Sequence, residues 1–366
     1  MMQLRLERRL DISARAGLWC RLLGAGGALL VVALLLLASG RNPVTLTRQA
    51  LDAVFGSQRG LEGTALRAIP ITMTALGVAL SLRMKVWNIG SDGQFLMGAF
   101  GALGVGIHLG GPSWVVLPAM ALVAIVAGAA WIAVPAVARA YLGVNEIITT
   151  LLLNFVAGQL VVWASLGFWR DKGSAVIQST EKVPYVLPRL PGADALTVAV
   201  LFPLVIALVL GWVFRSTKVG YEIDMIGGNP RAARFAGIAV DRRILAVMLV
   251  SGAIAGLGGM LQLSAPGAQA LNSGFSAQFG LSGFIVAALA GGSFRGVVVG
   301  GFAIAGMFYA GLVLQTKGLS VFIIFAIYGV ILTGVAIGEV AARYRLVRSR
   351  GDVPDGDGPL GEAVSA

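Results

Sequence analysis

The chain has very few of the side chains that most often build metal and disulfide sites. It contains one cysteine, Cys20, and one histidine, His108, among its 366 residues. A single cysteine excludes an intramolecular disulfide framework and any cysteine-ligated zinc or iron–sulfur centre. A single histidine argues against a centre that several histidines ligate. The sequence therefore predicts no metal site on this chain.

Charge is also scarce. Charged residues make up 12% of the chain, against about 25% in an ordinary soluble domain. Apolar residues make up 57%, and the mean hydropathy is +0.85. Too little polar surface exists to cover a soluble globule of this size, and disorder would require low hydrophobicity. We therefore predict an all-α polytopic membrane protein.

The charge that is present is mainly positive, with a net value of +11. In a soluble protein this excess would suggest a nucleic-acid partner. Here the lysines and arginines gather at the ends of apolar runs, as the positive-inside rule requires. The sequence therefore predicts a membrane topology signal and no nucleic-acid binding.

Apolar runs suited to a hydrocarbon core of about 30 Å occur about ten times. They lie at residues 19–39, 61–82, 94–109, 114–138, 145–167, 196–214, 244–264, 278–291, 296–314 and 321–338. The first run could be a signal peptide, but it is long for one and many spans follow. The eighth is short and bounded by glycines, so it could be re-entrant or shielded inside the bundle.

The topology follows from this even number of spans and from the distribution of the 28 lysines and arginines. Both place the two termini in the cytoplasm. Residues 1–18 are then a cytoplasmic tail, residues 19–338 the transmembrane domain, and residues 339–366 a cytoplasmic, disordered tail. Within the domain, we expect the loop 168–195 outside and the loop 215–243 in the cytoplasm.

Motifs for covalent chemistry are missing. No Gly-Lys pair occurs, so the chain has no phosphate-binding loop of the GxxxxGK[ST] type, and neither HExxH nor GxSxG is found. We therefore predict that the chain is not an enzyme and holds no cofactor.

A first polar segment, residues 87–94, interrupts the apolar pattern between the second and third runs. Asn88, Asp92 and Gln94 supply its polar groups, and two glycines free its backbone. Non-helical backbone at membrane depth must be buried in protein or line a cavity, which would place these residues on a translocation path. The alternative is a plain cytoplasmic turn in which Asp92 caps the next helix.

A second polar segment opens the fifth run. Asn145, Thr149 and Asn154 lie on neighbouring faces of the predicted helix, and Glu146 lies near its positive end. They could form a polar stripe on the translocation path. The alternative is that Asn145 caps the helix and the others bond between helices.

A third segment, residues 227–238, lies in the predicted inner loop. Asn229 can cap a short helix that has Pro230 at its first position and Gly237 at its end. Ala232, Ala233 and Ala236 give this helix a small, smooth face. The segment could be a solvated connector, but a helix that presents alanines is shaped to enter a groove on a partner.

Together the three segments resemble those of permease subunits of ABC importers, in the form seen in nucleoside and simple-sugar permeases. Residues 88–94 resemble that family's Asn-Ile-Gly-x-(Asp/Glu)-Gly-Gln element, and residues 145–154 resemble its fifth-helix motif. Residues 229–238 resemble the helix by which such permeases couple to their ATPases, although Arg231 stands where the wider signature often has glutamate. The likeness runs in consistent order over residues 66–338.

The resemblance implies a ten-helix subunit of the bacterial inner membrane, paired with a related chain or a copy of itself. It implies a cytoplasmic ATPase that binds ATP and magnesium, and an external substrate-binding protein or lipoprotein. The nearest likeness is to nucleoside permeases, with ribose-type sugars second. The coupling residues it implies are Asn229, Pro230, Ala232, Ala233, Ala236 and Gly237, and the candidate path residues are Asn88, Asp92, Gln94, Asn145, Thr149 and Asn154.

Two other classes of membrane protein are less consistent with the sequence. An ion-coupled secondary transporter usually carries carboxylates within its spans, whereas Asp92 and Glu146 are expected at span ends. An intramembrane enzyme would need catalytic groups that the spans lack.

Overall fold

A computed structural model describes residues 2–8, 14–173, 178–276 and 278–350 of the chain. It is helical almost throughout. The helices are α1 (Ala14–Ala38), α2 (Pro43–Phe55), α3 (Gln58–Leu82), α4 (Ser91–His108), α5 (Ser113–Leu142), α6 (Glu146–Leu166), α7 (Leu201–Ser216), α8 (Lys218–Gly228), α9 (Pro230–Phe235), α10 (Val240–Leu263), α11 (Phe279–Leu289), α12 (Phe294–Thr316) and α13 (Val321–Arg343). The two strands are β1 (Met2–Arg8) and β2 (Tyr344–Arg350).

The all-α polytopic class is confirmed, and each predicted apolar run falls on one helix. The count of ten spans is not confirmed. Within the described residues, seven helices are long and apolar enough to cross a membrane, or up to eight if α1 and α2 form one bent span. The helix α4 is outside this set, and α11 has only 11 residues. At 1.5 Å per residue α11 is about 16 Å long, roughly half of the hydrocarbon core.

The chain divides into two compact units, and the first contains both terminal segments. In this unit α1 packs on α13 through glycines: a Cβ added to Gly24 would lie 2.5 Å from the carbonyl oxygen of Gly334. Such contact lets two backbones approach closely in lipid. The helix α1 begins at Ala14 and α13 continues to Arg343, so both extend beyond residues 19–338, the predicted transmembrane domain.

Residues 1–18 were predicted as a cytoplasmic tail and residues 339–366 as a cytoplasmic, disordered tail. Residues 344–350 of the second tail instead form a strand that pairs antiparallel with residues 2–8 of the first, with Met2 opposite Arg350 and Arg8 opposite Tyr344. The rest of the predicted disordered tail, residues 351–366, lies outside the described residues.

The second unit, residues 47–318, is organised around α10. Its small residues allow α4 and α5 to approach at backbone distance. A Cβ added to Gly259 would lie 2.1 Å from the carbonyl oxygen of Phe95, and one added to Gly256 would lie 2.4 Å from that of Ala124. Because lipid offers no hydrophobic force between helices, close backbone contact of this kind supplies much of their attraction.

Within the second unit, the segment 168–195 packs against one end of the helices. Both oxygens of the Glu62 carboxylate accept hydrogen bonds from this segment, from the amides of Asp194 (3.1 Å) and Ala195 (2.7 Å). The Tyr185 hydroxyl donates to the carbonyl of Leu109 at 3.3 Å. Residues 174–177 of the segment are outside the described residues. The opposite end carries α8, α9 and the first turn of α12.

Candidate functional site

The connection between α3 and α4 is the centre of the first candidate site. Residues 86–89 have no regular structure, and Lys85 before them has a positive φ of 58°. The Asn88 side chain is nevertheless fully buried, and its Nδ2 donates to the Ser251 hydroxyl (2.9 Å). Ser251 lies near the middle of α10, so the connection enters the interior of the bundle. It is not a plain surface turn.

Asn88 and Gln94 form a reciprocal amide pair inside this connection. Asn88 Nδ2 donates to Gln94 Oε1 at 3.0 Å, and Gln94 Nε2 donates to Asn88 Oδ1 at 2.8 Å. The Ser251 hydroxyl donates onward to the carbonyl of Gly77 in α3 at 2.6 Å. A buried polar network is stable when its members are satisfied in this way, so the network fastens the connection to α3 and α10.

The second polar segment, at the start of α6, holds the same connection from its other side. Asn154 Nδ2 donates to the carbonyl of Ile89 (2.9 Å), and Asn154 Oδ1 accepts from the amide of Gly93 (2.8 Å). The buried Glu146 accepts from the amide of Trp87 at 3.1 Å and forms an ion pair with Arg139 at 3.2 Å. Thus α6 contributes one amide and one carboxylate to this connection.

Asp92 acts at a different helix from the one that the sequence suggested. It does not cap α4, whose N-cap is Gly90 without a side-chain bond. Its carboxylate accepts from the amide of Gly280, in the first turn of α11, at 2.8 Å. A carboxylate at this position offsets the positive end of the α11 dipole. The first turns of α4 and α11 therefore meet inside the protein.

Asn145 and Thr149 lie apart from this cluster. Asn145 is exposed and caps α6 by accepting from the amide of Ile147 at 2.9 Å, as the alternative interpretation expected. The Thr149 hydroxyl donates to the carbonyls of Asn145 and Glu146, one turn earlier.

Of the six candidate path residues, the structure therefore brings Asn88, Asp92, Gln94 and Asn154 together. Their side chains bond to protein groups. Ser251 could not be predicted as part of this site, because a single serine in an apolar run does not indicate a polar contact.

The third candidate segment forms the short helix α9. The Asn229 side chain accepts from the amides of Arg231 (3.0 Å) and Ala232 (3.2 Å), Pro230 is the first helical residue, and Gly237 follows with a φ of 80°. These are the cap, start and stop that the sequence suggested.

One of the three alanines of the predicted face is not available to a partner. Ala233 has 0% of its surface exposed and packs inside its own chain, so no partner can contact it directly. The other two alanines, Ala232 and Ala236, are exposed. Between them Phe235 is 95% exposed. Phe235 was not among the residues predicted to couple to a partner, because a single apolar residue in a loop does not by itself indicate an interface.

Ion pairs tie α9 and its neighbour α8 to α10. Arg234 of α9 pairs with Asp241 in the first turn of α10 at 2.6 Å. Glu222 of α8 accepts from Arg243 of α10, and Lys218 lies 3.8 Å from the same carboxylate. A displacement of α9 would therefore also move α10.

Comparisons with known proteins match the part of the chain that contains these three segments. A family model described as "Branched-chain amino acid transport system / permease component" matches residues 60–336, which include all of them. The chain belongs to this family. As a permease component it is a transport subunit and not an enzyme, and it is a multi-pass membrane protein. Permease components of this kind work in general with an ATPase and a substrate-binding protein.

Three relatives show which proteins this permease component is similar to. It is 30% identical to a glucose ABC transporter permease protein of Haloferax volcanii, over 94% of this chain and 93% of the relative. It is 27% identical to a guanosine ABC transporter permease protein of Bacillus subtilis, over 75% of this chain and 80% of the relative. It is 26% identical to a nucleoside ABC transporter permease protein of Lactococcus lactis, over 74% of this chain and 77% of the relative. No solved structure matches the chain.

Proposed function

We propose that this permease component forms the translocation path of an ATP-driven importer for a neutral hydrophilic solute, with nucleosides as the first candidate. The observation that carries this proposal is the family match together with the guanosine and nucleoside permeases among its relatives. The predicted spans contain few ionisable groups, which suits an uncharged cargo. Simple sugars are the second candidate, because the glucose permease aligns over nearly the whole chain.

The proposed assembly lies in the bacterial inner membrane with both termini in the cytoplasm. It contains a second permease subunit, a cytoplasmic ATPase that supplies the site for ATP and magnesium, and an external substrate-binding protein or lipoprotein. In this assembly the segment 168–195 faces outside and residues 215–243 face the ATPase. The charge distribution of the sequence supports this orientation.

The free energy of ATP binding and hydrolysis would drive the permease through α9. The exposed residues of α9 would sit in a groove of the ATPase, and closure of the ATPase dimer would displace this helix. The pairs Arg234–Asp241 and Glu222–Arg243 would transfer the movement to α10. A change in the tilt of α10 would move the helices that are packed against it, and access would alternate between the two sides of the membrane.

In this mechanism the cluster of Asn88, Asp92, Gln94 and Asn154 has a positioning role. It fixes the first turns of α4 and α11 relative to α10, so that these helices move together. Substrate contact by Asn88, Asp92, Gln94 and Asn154 would require the cluster to open, because their bonding groups are engaged within the protein.

Exchange of Phe235 for aspartate should weaken the attachment of the ATPase. A large exposed apolar side chain at the centre of an interface often contributes about 2 kcal/mol or more to binding, and a buried, unpaired carboxylate adds a further penalty. We therefore expect ATPase copurification to fall at least tenfold, while the permease itself remains inserted. The measurement is the ATPase-to-permease ratio after affinity purification.

Trp114→Asp is the matched control for this exchange, because Trp114 is also a large exposed aromatic residue but lies at the start of α5, at the end of the second unit that carries the segment 168–195. An unchanged ATPase-to-permease ratio in the Phe235→Asp variant would contradict docking through the exposed side of α9.

The transport proposal is tested by uptake into proteoliposomes that contain the complete complex. Labelled adenosine should accumulate only with ATP on the ATPase side, and unlabelled guanosine should compete better than glucose, ribose or leucine. Preferential uptake of glucose would select the sugar alternative. Uptake driven by an ion gradient without ATP would contradict the proposal that the complex is an ATP-driven importer.

A further inference from the structure

A deep groove opens on the side of the second unit, between α7 and α12. Its volume is about 1060 Å³, at the upper limit of the roughly 300–1,000 Å³ that small-molecule sites occupy. Along α7 it is lined by Leu204, Leu208 and Gly211, which recur at helical spacing on one face. The Val299 side chain of α12 forms the facing wall. This part of the groove is apolar.

One end of the groove is basic. Arg83, Arg215 and Arg295 line it, and Asp224 is the only acidic residue among the described residues of the lining. Asp224 pairs with Arg83 at 3.2 Å. The Arg83 guanidinium is further held over the ring of Phe214, at 4.8 Å from its centroid. Arg215 and Arg295 are exposed and make no ion pair within the described part of the chain.

The dimensions match one leaflet of a bilayer. From Leu204 to Arg215 the groove follows α7 for about 16 Å at 1.5 Å per residue, and half of a hydrocarbon core is about 15 Å. Trp212, one residue beyond Gly211, is exposed at the basic end. Tryptophan is enriched where hydrocarbon meets water. The arginines therefore lie at the level of lipid headgroups, and the apolar part lies at the level of acyl chains.

From these features we infer that the groove between α7 and α12 binds one anionic phospholipid, with its phosphate between Arg215 and Arg295 and an acyl chain along α7. The charge of the groove end selects an anionic headgroup, since basic pockets between membrane helices attract such lipids. The apolar part, open to the bilayer, distinguishes a lipid from a free phosphate ester. This inference goes beyond the proposed transport function and does not depend on the cargo.

The test uses the full-length protein in detergent, titrated with phosphatidylglycerol or phosphatidylcholine, with bound lipid counted by native mass spectrometry. Two arginines near a headgroup contribute about 1 kcal/mol each. The double variant Arg215→Gln/Arg295→Gln should therefore bind phosphatidylglycerol about 30-fold more weakly. Arg242→Gln, the exposed arginine at the start of α10, should bind it like the unmodified protein.

A second variant fills the apolar part and leaves every arginine in place. A Cβ added to Gly211 meets no atom within 4 Å, and the same is true of Gly158 in α6. Leucine is also a better helix former than glycine, so both variants should fold. Gly211→Leu should reduce binding of phosphatidylglycerol at least tenfold, whereas Gly158→Leu should leave it unchanged.

Three results would overturn the inference. The first is equal binding of phosphatidylglycerol by the double arginine variant and by Arg242→Gln. The second is competition by glycerol phosphate as strong as that of phosphatidylglycerol, with no effect of Gly211→Leu, which would indicate a free phosphate site. The third is loss of ATPase copurification in the double variant with lipid binding intact, which would assign the basic end to the ATPase interface.

Discussion

Replacement of Gly259 by alanine is expected to destabilise the permease by about 3 kcal/mol, the upper part of the usual range for overpacked interiors. The added Cβ would lie 2.1 Å from the carbonyl oxygen of Phe95 and 2.8 Å from the amide nitrogen of Ala99. Both are backbone atoms of α4, so no side chain can rotate away, and α4 and α10 must separate. Separation would also weaken dispersion contacts along the whole helix pair. Thermal unfolding of the purified protein, followed by tryptophan fluorescence, measures the effect.

Gly158→Ala is the control for this experiment. An added Cβ at Gly158 meets nothing within 4 Å, and alanine is favoured over glycine in a helix by about 1 kcal/mol. This variant should unfold at the same temperature as the unmodified protein or slightly higher. Equal unfolding temperatures for Gly259→Ala and Gly158→Ala would mean that α10 does not contact α4 at backbone distance.

The second large effect is expected for Asn88→Leu. Leucine has the branched shape of asparagine but no hydrogen-bonding group, so the Gln94 amide and the amide of Gly90 lose their partners. A buried polar group without a partner costs about 1–3 kcal/mol, so the free energy of unfolding should fall by about 3 kcal/mol. ATP-driven uptake should fall with it, because the connection between α3 and α4 loses its attachment to α10. The measurements are thermal unfolding and proteoliposome uptake, made on the same preparation.

Asn145→Leu provides the comparison, since it is the same exchange at an exposed helix cap. Loss of such a cap costs about 1 kcal/mol. If Asn88→Leu proved no more destabilising than Asn145→Leu, the buried amide pair would have no structural role, and a direct contact with substrate would become the better account of Asn88.

The membrane helices could be placed from the sequence because each contains a continuous apolar run, and water exclusion makes such runs helical. The cap at Asn229 could be predicted for a similar reason, since Asn, Pro and Gly act within a few residues. The amphipathic helices α2 and α8 were missed because neither contains a long apolar run. The pairing of β1 with β2 joins the two ends of the chain, so it leaves no local pattern.

The polar cluster was only partly predictable. The sequence indicated that Asn88, Asp92 and Gln94 interrupt an apolar region, but not whether they face a path or one another. That choice depends on Ser251, Asn154 and Gly280, which lie 61 to 188 residues away along the chain. Likewise, helical periodicity predicted an alanine face on α9 but could not show that Ala233 points inward, because the neighbouring helices decide which side of α9 is covered.

The short helix α11 has a consequence for the order in which the protein assembles in the membrane. A helix of 11 residues is too short to be inserted as an independent span. Its first turn is held by Thr74 of α3, whose hydroxyl donates to the carbonyl of Phe279 at 3.1 Å, and by Asp92 of α4. These partners are synthesised about 200 residues earlier, and long-range contacts of this kind form late. Biogenesis of the permease therefore includes a late step, in which α11 packs against α3 and α4 after these helices are in place.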